Sequence, residues 1–400
     1  MDHAKTPPQD PFDRVLERRG TGSLKWDGYG KRYGYHDPDL LPMWVADLDF
    51  PSPPSVSTAL ENTARTGLFG YPASVDAYFE ALMGWLHRRH GFAPKPDWLL
   101  PAPGVIAAVS LIMRAVSEPG DQILVQPPVY PNFYKAISAN QRRIAYNPLV
   151  FDGQRYLIDL ADLEKKASTG ARVLLLCSPH NPVGRVWTRD ELQAVGEICL
   201  KHGVFVISDE IHFDLIFSGL THTVFQTLDP GFLANSALVT SPSKTFNLPG
   251  LQPGFVVLEN EAVRKRCLAD LRAFDYTWPE ACCMEAVIAA YTQGEPWLSH
   301  LMRYIEDNYR FLKDTLGESA TDIGVTEPES TYLVWLDFQN LGLTGKSLEE
   351  FLFRKARLVL NQGVEFGPGG GSFARMNIGC PRSTLEEGLG RLVRAVKQHV

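Results

Sequence analysis

The chain has 400 residues, which excludes a peptide or a small module held together by disulfides. Hydrophobic residues make up 44% and charged residues 21% of the sequence, proportions typical of a globular protein rather than a disordered or fibrous one. The formal net charge of −7 gives no general attraction for phosphate backbones, so nucleic acid is not expected as a partner.

The ends and the cysteines of the chain predict its compartment. The first ten residues, MDHAKTPPQD, are polar and lack the apolar segment of a secretory signal. No stretch approaches the eighteen or so uninterrupted apolar residues of a membrane span. The six cysteines contain no C-x-x-C pair, which favours free thiols in a reducing compartment. We therefore expect a cytoplasmic protein with no membrane partner.

The first third of the chain predicts an arm followed by alternating helices and strands. Residues 1–50 are rich in Gly, Pro, Asp and aromatic side chains and are predicted to form an extended arm. Residues 104–116 form an apolar pattern typical of a helix, which the sequence Glu118-Pro119-Gly120 ends. Residues 122–125 then predict a short buried strand.

The middle of the chain carries the clearest pattern. Residues 171–177 (ARVLLLC) and 204–208 (VFVIS) are short apolar runs, typical of strands covered on both faces. Between them, Thr188 and Glu191 have the spacing of a capping box that opens a helix to about residue 202. Residues 237–240 predict a further strand. Strand, helix and strand at this spacing indicate a βαβ unit with parallel strands.

The C-terminal part changes character. A long helix is predicted from about residue 280, strands over 332–338 and 374–378, and helices over 347–355 and 384–397. We predict an α/β fold with a large, mixed but mostly parallel sheet, and a smaller α+β domain made from both termini. The expected boundaries are 1–55 for the arm and part of the small domain, 56–285 for the large domain, and 286–400 for the C-terminal small domain.

Polar side chains follow three of these predicted strands. Asn181 comes after residues 171–177, Asp209 after 204–208, and Lys244 after 237–240. Ligands of parallel α/β sheets gather beyond the carboxyl ends of the strands, and neighbouring strands lie about 4.8 Å apart. The three strand ends can therefore present an amide, a carboxylate and an amine to one flat heteroaromatic ring.

Pyridoxal 5′-phosphate (PLP) is a ring that needs all three groups. A lysine forms an imine with its aldehyde, a carboxylate keeps its pyridine nitrogen protonated, and an amide donates to its phenolate oxygen. Its phosphate suits a helix N-terminus, which Gly104, Val105 and Ile106 provide at the start of the apolar helix, and Ser241 and Ser243 add hydroxyls. Alone, each of these residues is more ordinary as a surface charge or a turn residue; their shared position favours the cofactor.

At these residues the chain resembles the fold-type I PLP-dependent enzymes, whose fold is that of aspartate aminotransferase. More narrowly, it resembles the MalY/PatB-like group of cystathionine β-lyases and cysteine-S-conjugate β-lyases within the class I/II aminotransferase superfamily. The matching segments are MWVADLDF at 43–50, FGYP at 69–72, QPPVYPNF at 126–133, SPHNPVGRVW at 178–187, SDEIHFDLIF at 208–217, SPSKTFNLPGLQ at 241–252 and RMNIGCPRS at 375–383.

The resemblance implies a role for each matching residue. Lys244 is the imine-forming lysine and proton shuttle, Asp209 pairs with the pyridine nitrogen, and Asn181 hydrogen-bonds the ring oxygen. The remaining implied roles are ring stacking by Tyr130, phosphate contacts by Val105, Ile106, Ser241 and Ser243, and a substrate α-carboxylate clamp formed by Arg375. The family also implies a homodimer with shared active sites, in which Tyr71 reaches the phosphate of the cofactor in the other subunit.

The chain departs from many aminotransferases of the superfamily at two places, and from the lyase group at a third. Gln252 stands eight residues after the lysine, where many of them have a phosphate-binding Arg, and His212 stands three residues after the aspartate, where they have Tyr. Both changes are typical of the lyase branch. His212 is interpreted either as a neighbour of Asp209 near the cofactor or as a structural core histidine. In the lyase group, small polar residues are expected directly after Gln252, whereas this chain has Pro253-Gly254 in that loop, close to the lysine.

The resemblance implies α,β-elimination on an amino-acid substrate, cystathionine or another cysteine S-conjugate, with release of thiol, pyruvate and ammonia. Lys244 would act as the base, since a lysine near a cationic cofactor has a lowered pKa. The alternatives are transamination on the same cofactor, which Lys244 and Asp209 also serve, and a binding or regulatory protein that retains the fold. His87 and His90 lack H-E-x-x-H spacing, so no metal site is expected.

Overall fold

The structure, a computed structural model, describes residues 10–399. Its helices are α1 (Leu24–Asp27), α2 (Tyr29–Tyr33), α3 (Pro54–Thr66), α4 (Asp76–His90), α5 (Val105–Val116), α6 (Pro131–Ala139), α7 (Leu160–Ser168), α8 (Arg189–His202), α9 (Pro230–Ala234), α10 (Pro242–Thr245), α11 (Glu261–Ala273), α12 (Ala281–Gln293), α13 (Glu295–Ser319), α14 (Gly345–Glu350) and α15 (Arg382–Lys397). Its strands are β1 (Leu41–Pro42), β2 (Leu99–Pro101), β3 (Gln122–Val125), β4 (Arg143–Tyr146), β5 (Val150–Phe151), β6 (Tyr156–Leu157), β7 (Ala171–Cys177), β8 (Phe205–Asp209), β9 (Ser236–Thr240), β10 (Phe255–Val257), β11 (Gly324–Val325), β12 (Leu333–Asp337), β13 (Leu358–Val359), β14 (Asn361–Gln362) and β15 (Phe373–Asn377).

A seven-stranded sheet forms the centre of the molecule, with the strand order β2-β10-β9-β8-β7-β3-β4. Only β10 runs antiparallel to its neighbours in this sheet, which confirms the predicted mixed, mostly parallel arrangement. Cys177 pairs with Asp209, and Asp209 pairs with Val239. The carboxyl ends of β7, β8 and β9 therefore meet at one edge, as the motif positions predicted.

Helices cover both faces of this sheet and bury its apolar strands. On one face α5 contributes Val109 and Ile112 to a core that includes Ile207 of β8. On the other face α8 packs Leu192 and Val195 against the opposite sides of β7 and β8. The Thr188–Glu191 capping box is present as predicted, with the Glu191 N–H donating to Thr188 Oγ1 and the Thr188 N–H to Glu191 Oε2.

A second, antiparallel sheet lies in the C-terminal part, with the strand order β11-β12-β15-β14. Nearby, β1 pairs in parallel with β13, so that Leu41 lies beside Leu358. Residues close to the N-terminus thus pack with the end of the chain. Among residues 10–399, no helix combines the length and the apolar character that crossing a bilayer requires.

Residues 10–50 are less extended than the composition indicated, because a buried charge cluster folds them back. Lys25 of α1 is fully buried, and its Nζ donates to Asp49 Oδ2 at 2.7 Å. Arg18 bridges the same region, with Nη1 2.6 Å from Asp49 Oδ1 and Nη2 3.0 Å from Asp47 Oδ2. Sequence patterning shows no sign of this cluster because a buried lysine reads as a surface residue until its partners are known.

Two helical predictions also differ in detail. The long helix expected from residue 280 divides at Gly294 into α12 and α13, because Pro296 in the first turn of α13 has no N–H for a continuous helix. The helix expected over residues 347–355 begins at Gly345 as α14 and continues as a π-helical turn over Phe351–Ala356.

Candidate active site

A cleft of about 630 Å³ opens at the carboxyl ends of the parallel strands. It is bounded on one side by the 44–46 segment and on another by β15. Ten of the twelve residues that the sequence singled out line this cleft; they are Gly104, Val105, Ile106, Tyr130, Asn181, Asp209, His212, Ser243, Lys244 and Arg375. The other two, Ser241 and Tyr71, do not line it.

Lys244 lies on the short helix α10, directly after β9. Its Nζ donates to the carbonyl oxygen of Ala46 at 2.6 Å. Burial lowers the pKa of the Lys244 amine to about 8; the Asp47 carboxylate opposes this change and the Arg375 guanidinium adds to it. An amine that loses its proton this close to neutrality can act both as a nucleophile and as a proton carrier.

Asp209 is the last residue of β8 and lines the cleft. It is only 3% exposed, and its Oδ1 accepts the N–H of Ile211 at 3.2 Å. Burial raises the pKa of Asp209 to about 7, with a further contribution from the neighbouring Glu210. A cationic ligand nitrogen beside this carboxyl would restore its ionised form, because an opposite charge favours the carboxylate.

Glu210 is a buried carboxylate next to Asp209 that points away from the cleft. Its Oε1 accepts from Ser208 Oγ at 2.7 Å and from the N–H of Phe225 at 3.1 Å, and its Oε2 lies 2.7 Å from Nε2 of His222. These partners fix the β8 end and therefore the position of Asp209.

The raised pKa of Asp209 predicts a pH-dependent stability for the ligand-free protein. Because the folded state holds this proton more tightly than the unfolded state, the associated stability is present at low pH and is lost as the pH rises from about 4 to 7. Asp209→Asn removes the titration, so the stability of the variant relative to the parent should increase by about 2–3 kcal/mol between pH 5 and pH 8.

Urea unfolding of the ligand-free parent, Asp209→Asn and the exposed-site control Asp97→Asn at both pH values measures this difference. An Asp209→Asn variant that gains no stability relative to the parent between pH 5 and pH 8 would show that the buried carboxyl is not the titrating group.

Arg375 on β15 is held in one orientation by three acceptors. Its Nη1 donates to Asn181 Oδ1 at 2.8 Å, and its Nη2 donates to Asn361 Oδ1 at 2.6 Å and to the Trp44 carbonyl at 3.1 Å. Its Nε is buried without a hydrogen-bond partner among the described residues. Burial lowers the pKa of this guanidinium to about 10, so it stays cationic at neutral pH. A fixed, partly unsatisfied guanidinium in a cleft suits a carboxylate ligand.

Tyr130 and His212 complete the wall around Asp209. The hydroxyl of Tyr130 accepts from Asn132 Nδ2 at 2.7 Å, and burial raises the pKa of Tyr130. His212 is 3% exposed, and its Nδ1 has no hydrogen-bond partner within residues 10–399. Burial lowers its pKa to about 3, so the ring is neutral. The structure thus places His212 on the cleft wall rather than in the core alone.

The start of α5 forms a backbone cradle at the other end of the cleft. Gly104 precedes the helix with φ +90° and ψ 166°, a conformation that glycine adopts readily and L side chains rarely do. Val105 and Ile106 follow as the first residues of the helix, whose leading N–H groups have no acceptor within the helix. Such a turn offers room and donors for an anion.

Close packing explains the glycine at position 254, the second residue after Gln252. A Cβ on Gly254 would lie 2.7 Å from the Ala102 carbonyl oxygen and 2.9 Å from the backbone of Gly104. The absence of a side chain at 254 therefore lets β10 approach the cradle. Gln252 and Pro253 both line the cleft beside it.

Gly254→Ala should destabilise the protein by about 1–3 kcal/mol, because the new methyl group meets backbone atoms that cannot rotate away. Gly250→Ala is a matched control four residues earlier, since no heavy atom lies within 4 Å of its added Cβ. Thermal unfolding of both variants distinguishes them. Equal stability of Gly254→Ala and Gly250→Ala would contradict the close approach at the cradle.

The two predicted residues outside the cleft have other contacts. Ser241 caps α10: its hydroxyl donates to the Pro253 carbonyl at 2.7 Å and accepts the Ser243 N–H at 3.0 Å. Tyr71 is 89% exposed, and its ring lies edge-on to Trp278 with the centroids 5.7 Å apart. Neither side chain reaches the cleft of its own chain.

Sequence reasoning assigned no role to the 44–46 segment or to Asn361. The Trp44 and Ala46 carbonyls bind Arg375 and Lys244 through backbone atoms, which no residue type reveals. Asn361 lies beside Arg375 in the β14–β15 register. The only available signal was the matched segment MWVADLDF, which marked residues 43–50 without giving them a function.

Comparisons with known proteins agree with this geometry. The family model for aminotransferase class I and II matches residues 39–392. Cystathionine beta-lyase PatB of Bacillus subtilis is 41% identical over 386 residues, which cover 96% of this chain and 99% of that protein.

Two solved structures that contain PLP are also similar to this chain over nearly its whole length. A PLP-bound putative aminotransferase from Clostridium difficile 630 has a TM-score of 0.94 and 40% identity, covering 96% of this chain and 99% of its own. Cystalysin from Treponema denticola, which contains a PLP cofactor, has a TM-score of 0.93 and 35% identity, covering 97% of this chain and 98% of its own.

Proposed function

Because the chain belongs to the aminotransferase class I and II family, we propose that it is a PLP-dependent carbon–sulfur β-lyase. It acts on cystathionine or another cysteine S-conjugate and releases a thiol, pyruvate and ammonia. The observation that carries this proposal is the convergence of Lys244, Asp209 and Arg375 on one cleft. They provide an amine with a lowered pKa, a buried carboxyl that a pyridinium nitrogen would return to its ionised form, and a cationic fork for a carboxylate. The named relatives support the lyase branch.

The residues of the cleft fit PLP. The cradle at Gly104 provides open backbone donors for a phosphate, and the buried Asp209 carboxyl gains a partner from a pyridinium nitrogen. We propose that Asp209, Asn181, Tyr130 and the Gly104–Ile106 turn hold the cofactor, with His212 and Ser243 beside it. When bound, PLP supplies an electron sink for the electrons of the broken Cα–H bond.

Arg375 and Lys244 then divide the work on the substrate. The fixed Arg375 fork binds the α-carboxylate and so orients the amino acid in the cleft. Lys244, with its pKa near 8, takes the Cα proton onto Nζ. The Ala46 carbonyl accepts from the resulting ammonium and keeps it beside the substrate. As the Cα electrons form the Cα=Cβ bond, the sulfur leaves Cβ with the electrons of the Cβ–S bond and takes up a proton. Water then hydrolyses the three-carbon enamine product to pyruvate and ammonia.

The tertiary layout also supports proposals about assembly. We propose that a second copy covers the exposed side chains of Leu68, Phe69, Tyr71 and Phe274, which are 63–89% exposed. The loops that carry them meet where the Tyr71 ring contacts Trp278. In such a homodimer Tyr71 completes the partner's site.

We also propose three domain segments, 1–55, 56–285 and 286–400, which are supported by the two separate sheets and the β1–β13 pairing. The six free thiols support a cytoplasmic location.

Release of pyruvate and thiol from L-cystathionine by purified, PLP-loaded protein tests the proposed reaction. We expect stoichiometric formation of both products and no transfer of the amino group to 2-oxoglutarate. Amino transfer without elimination would assign the protein to transamination instead. Cofactor binding without either reaction would indicate a binding protein that retains the fold.

A further inference from the structure

An ion pair stands at the outer end of the cleft, and the mechanism above does not use it. Arg32 of α2 and Glu365 both line the cleft, with Nη2 2.9 Å from Oε1. Their side chains are 40% and 18% exposed, whereas Arg375 is only 4% exposed. The charged groups of the cleft are therefore graded, from a buried guanidinium at its base to a solvent-facing pair at its mouth.

Glu365 has a second support that does not depend on Arg32. Its Oε2 accepts from Asn361 Nδ2 at 3.3 Å, and the other end of Asn361 accepts from Arg375 at 2.6 Å. This contact keeps the carboxylate in place when Arg32 exchanges its partner. The Arg32 side chain is 40% exposed, so water or a ligand can replace Glu365 as its partner when the Arg32–Glu365 contact opens.

We propose that Arg32 and Glu365 form a subsite for the distal amino-acid group of a substrate whose α-carboxylate is bound by Arg375. This inference rests on the proposed lyase function and narrows its substrate class. The guanidinium of Arg32 receives the distal carboxylate through two N–H donors, and Glu365 receives the distal ammonium. The preferred substrates are thioethers that carry an amino acid at both ends, rather than S-alkyl cysteines with an uncharged tail.

Binding of two amino acids that lack a β leaving group, and therefore cannot undergo elimination, to the PLP-loaded protein tests the subsite apart from the elimination reaction. L,L-2,7-Diaminosuberate replaces the sulfur of cystathionine by CH₂ and keeps both amino-acid ends, and L-2-aminooctanoate lacks the distal charges. Calorimetry gives the ratio of their Kd values for the parent, Arg32→Gln, Glu365→Gln and the control Lys31→Gln, which removes an exposed charge from the same helix.

The preference for diaminosuberate should fall about tenfold in Arg32→Gln and in Glu365→Gln, because each variant removes one charge-assisted contact, and should stay at the parent value in Lys31→Gln. If the ratio of the two Kd values stayed within twofold of the parent in both Arg32→Gln and Glu365→Gln, the subsite would be overturned, even if each Kd changed by itself. That result would instead indicate that the pair only supports Arg375 through Asn361.

Elimination assays separate this inference from the proposed function. If the parent turned over both cystathionine and S-ethylcysteine, and Arg32→Gln kept the same preference between these two substrates, the subsite would be rejected and the lyase function kept. If the protein released no pyruvate from either substrate, but its preference for diaminosuberate still fell in Arg32→Gln and Glu365→Gln, the subsite would be kept and the lyase function rejected.

Discussion

Lys244→Ala is expected to lower kcat/KM for β-elimination by about 10³-fold or more, the largest effect of any single substitution in the chain. The variant loses both the amine that joins the cofactor and the base that takes the Cα proton, and general acid–base catalysis alone contributes about 10²–10⁴-fold. Within residues 10–399, the other lysine that lines the cleft is Lys135, which is exposed at its surface and is not placed to replace Lys244.

Lys135→Ala is therefore the matched control, and we expect its kcat/KM to stay within a few-fold of the parent. Addition of methylamine should partly restore turnover to Lys244→Ala, because the small amine can occupy the space of the missing Lys244 amine and act as the base there. A Lys244→Ala variant that retains more than about a tenth of the parental kcat/KM would show that another group removes the proton.

Arg375→Lys should raise KM and lower kcat/KM by about 10²-fold or more, although the positive charge is kept. A lysine ammonium cannot reproduce the planar fork that contacts Asn181, Asn361 and the Trp44 carbonyl together. The remaining cation is free to rotate, so the substrate carboxylate loses its paired donors and the buried amide oxygens lose their partner.

Steady-state kinetics with L-cystathionine measure this effect, with the exposed substitution Arg172→Lys on β7 as the control. A rise in KM with a smaller change in kcat identifies Arg375 as the carboxylate clamp. A fall in kcat with no change in KM would place the carboxylate elsewhere in the cleft.

The parallel core and the central residues of the site could be predicted from sequence because their signals are local. A run such as residues 171–177 identifies a buried strand by its apolar length alone, and the Thr188–Glu191 spacing identifies the helix start. Since parallel strands end at one edge, the positions of Asp209 and Lys244 after their strands were sufficient to place both at the same cleft.

The rest depended on contacts between distant parts of the chain. Lys244 meets the carbonyl of Ala46 across 198 residues of sequence, and this acceptor is a backbone atom that every residue type carries. The buried Lys25 has its ion-pair partners in Asp47 and Asp49, more than twenty residues later in the chain. Residue 254 has no room for a side chain because the backbone of Gly104 lies close to it, and no local sequence pattern indicates that approach. Ser241 and Ser243 appeared equivalent in sequence, yet only Ser243 lines the cleft.

Borohydride reduction of the PLP-loaded protein, followed by peptide mass mapping, tests the central claim most directly. We expect one reduced pyridoxyl phosphate group per chain, carried by the peptide that contains Lys244, and none in Lys244→Ala. Reduction that leaves this peptide unmodified, or that labels a different lysine, would show that Lys244 is not the residue that joins the cofactor.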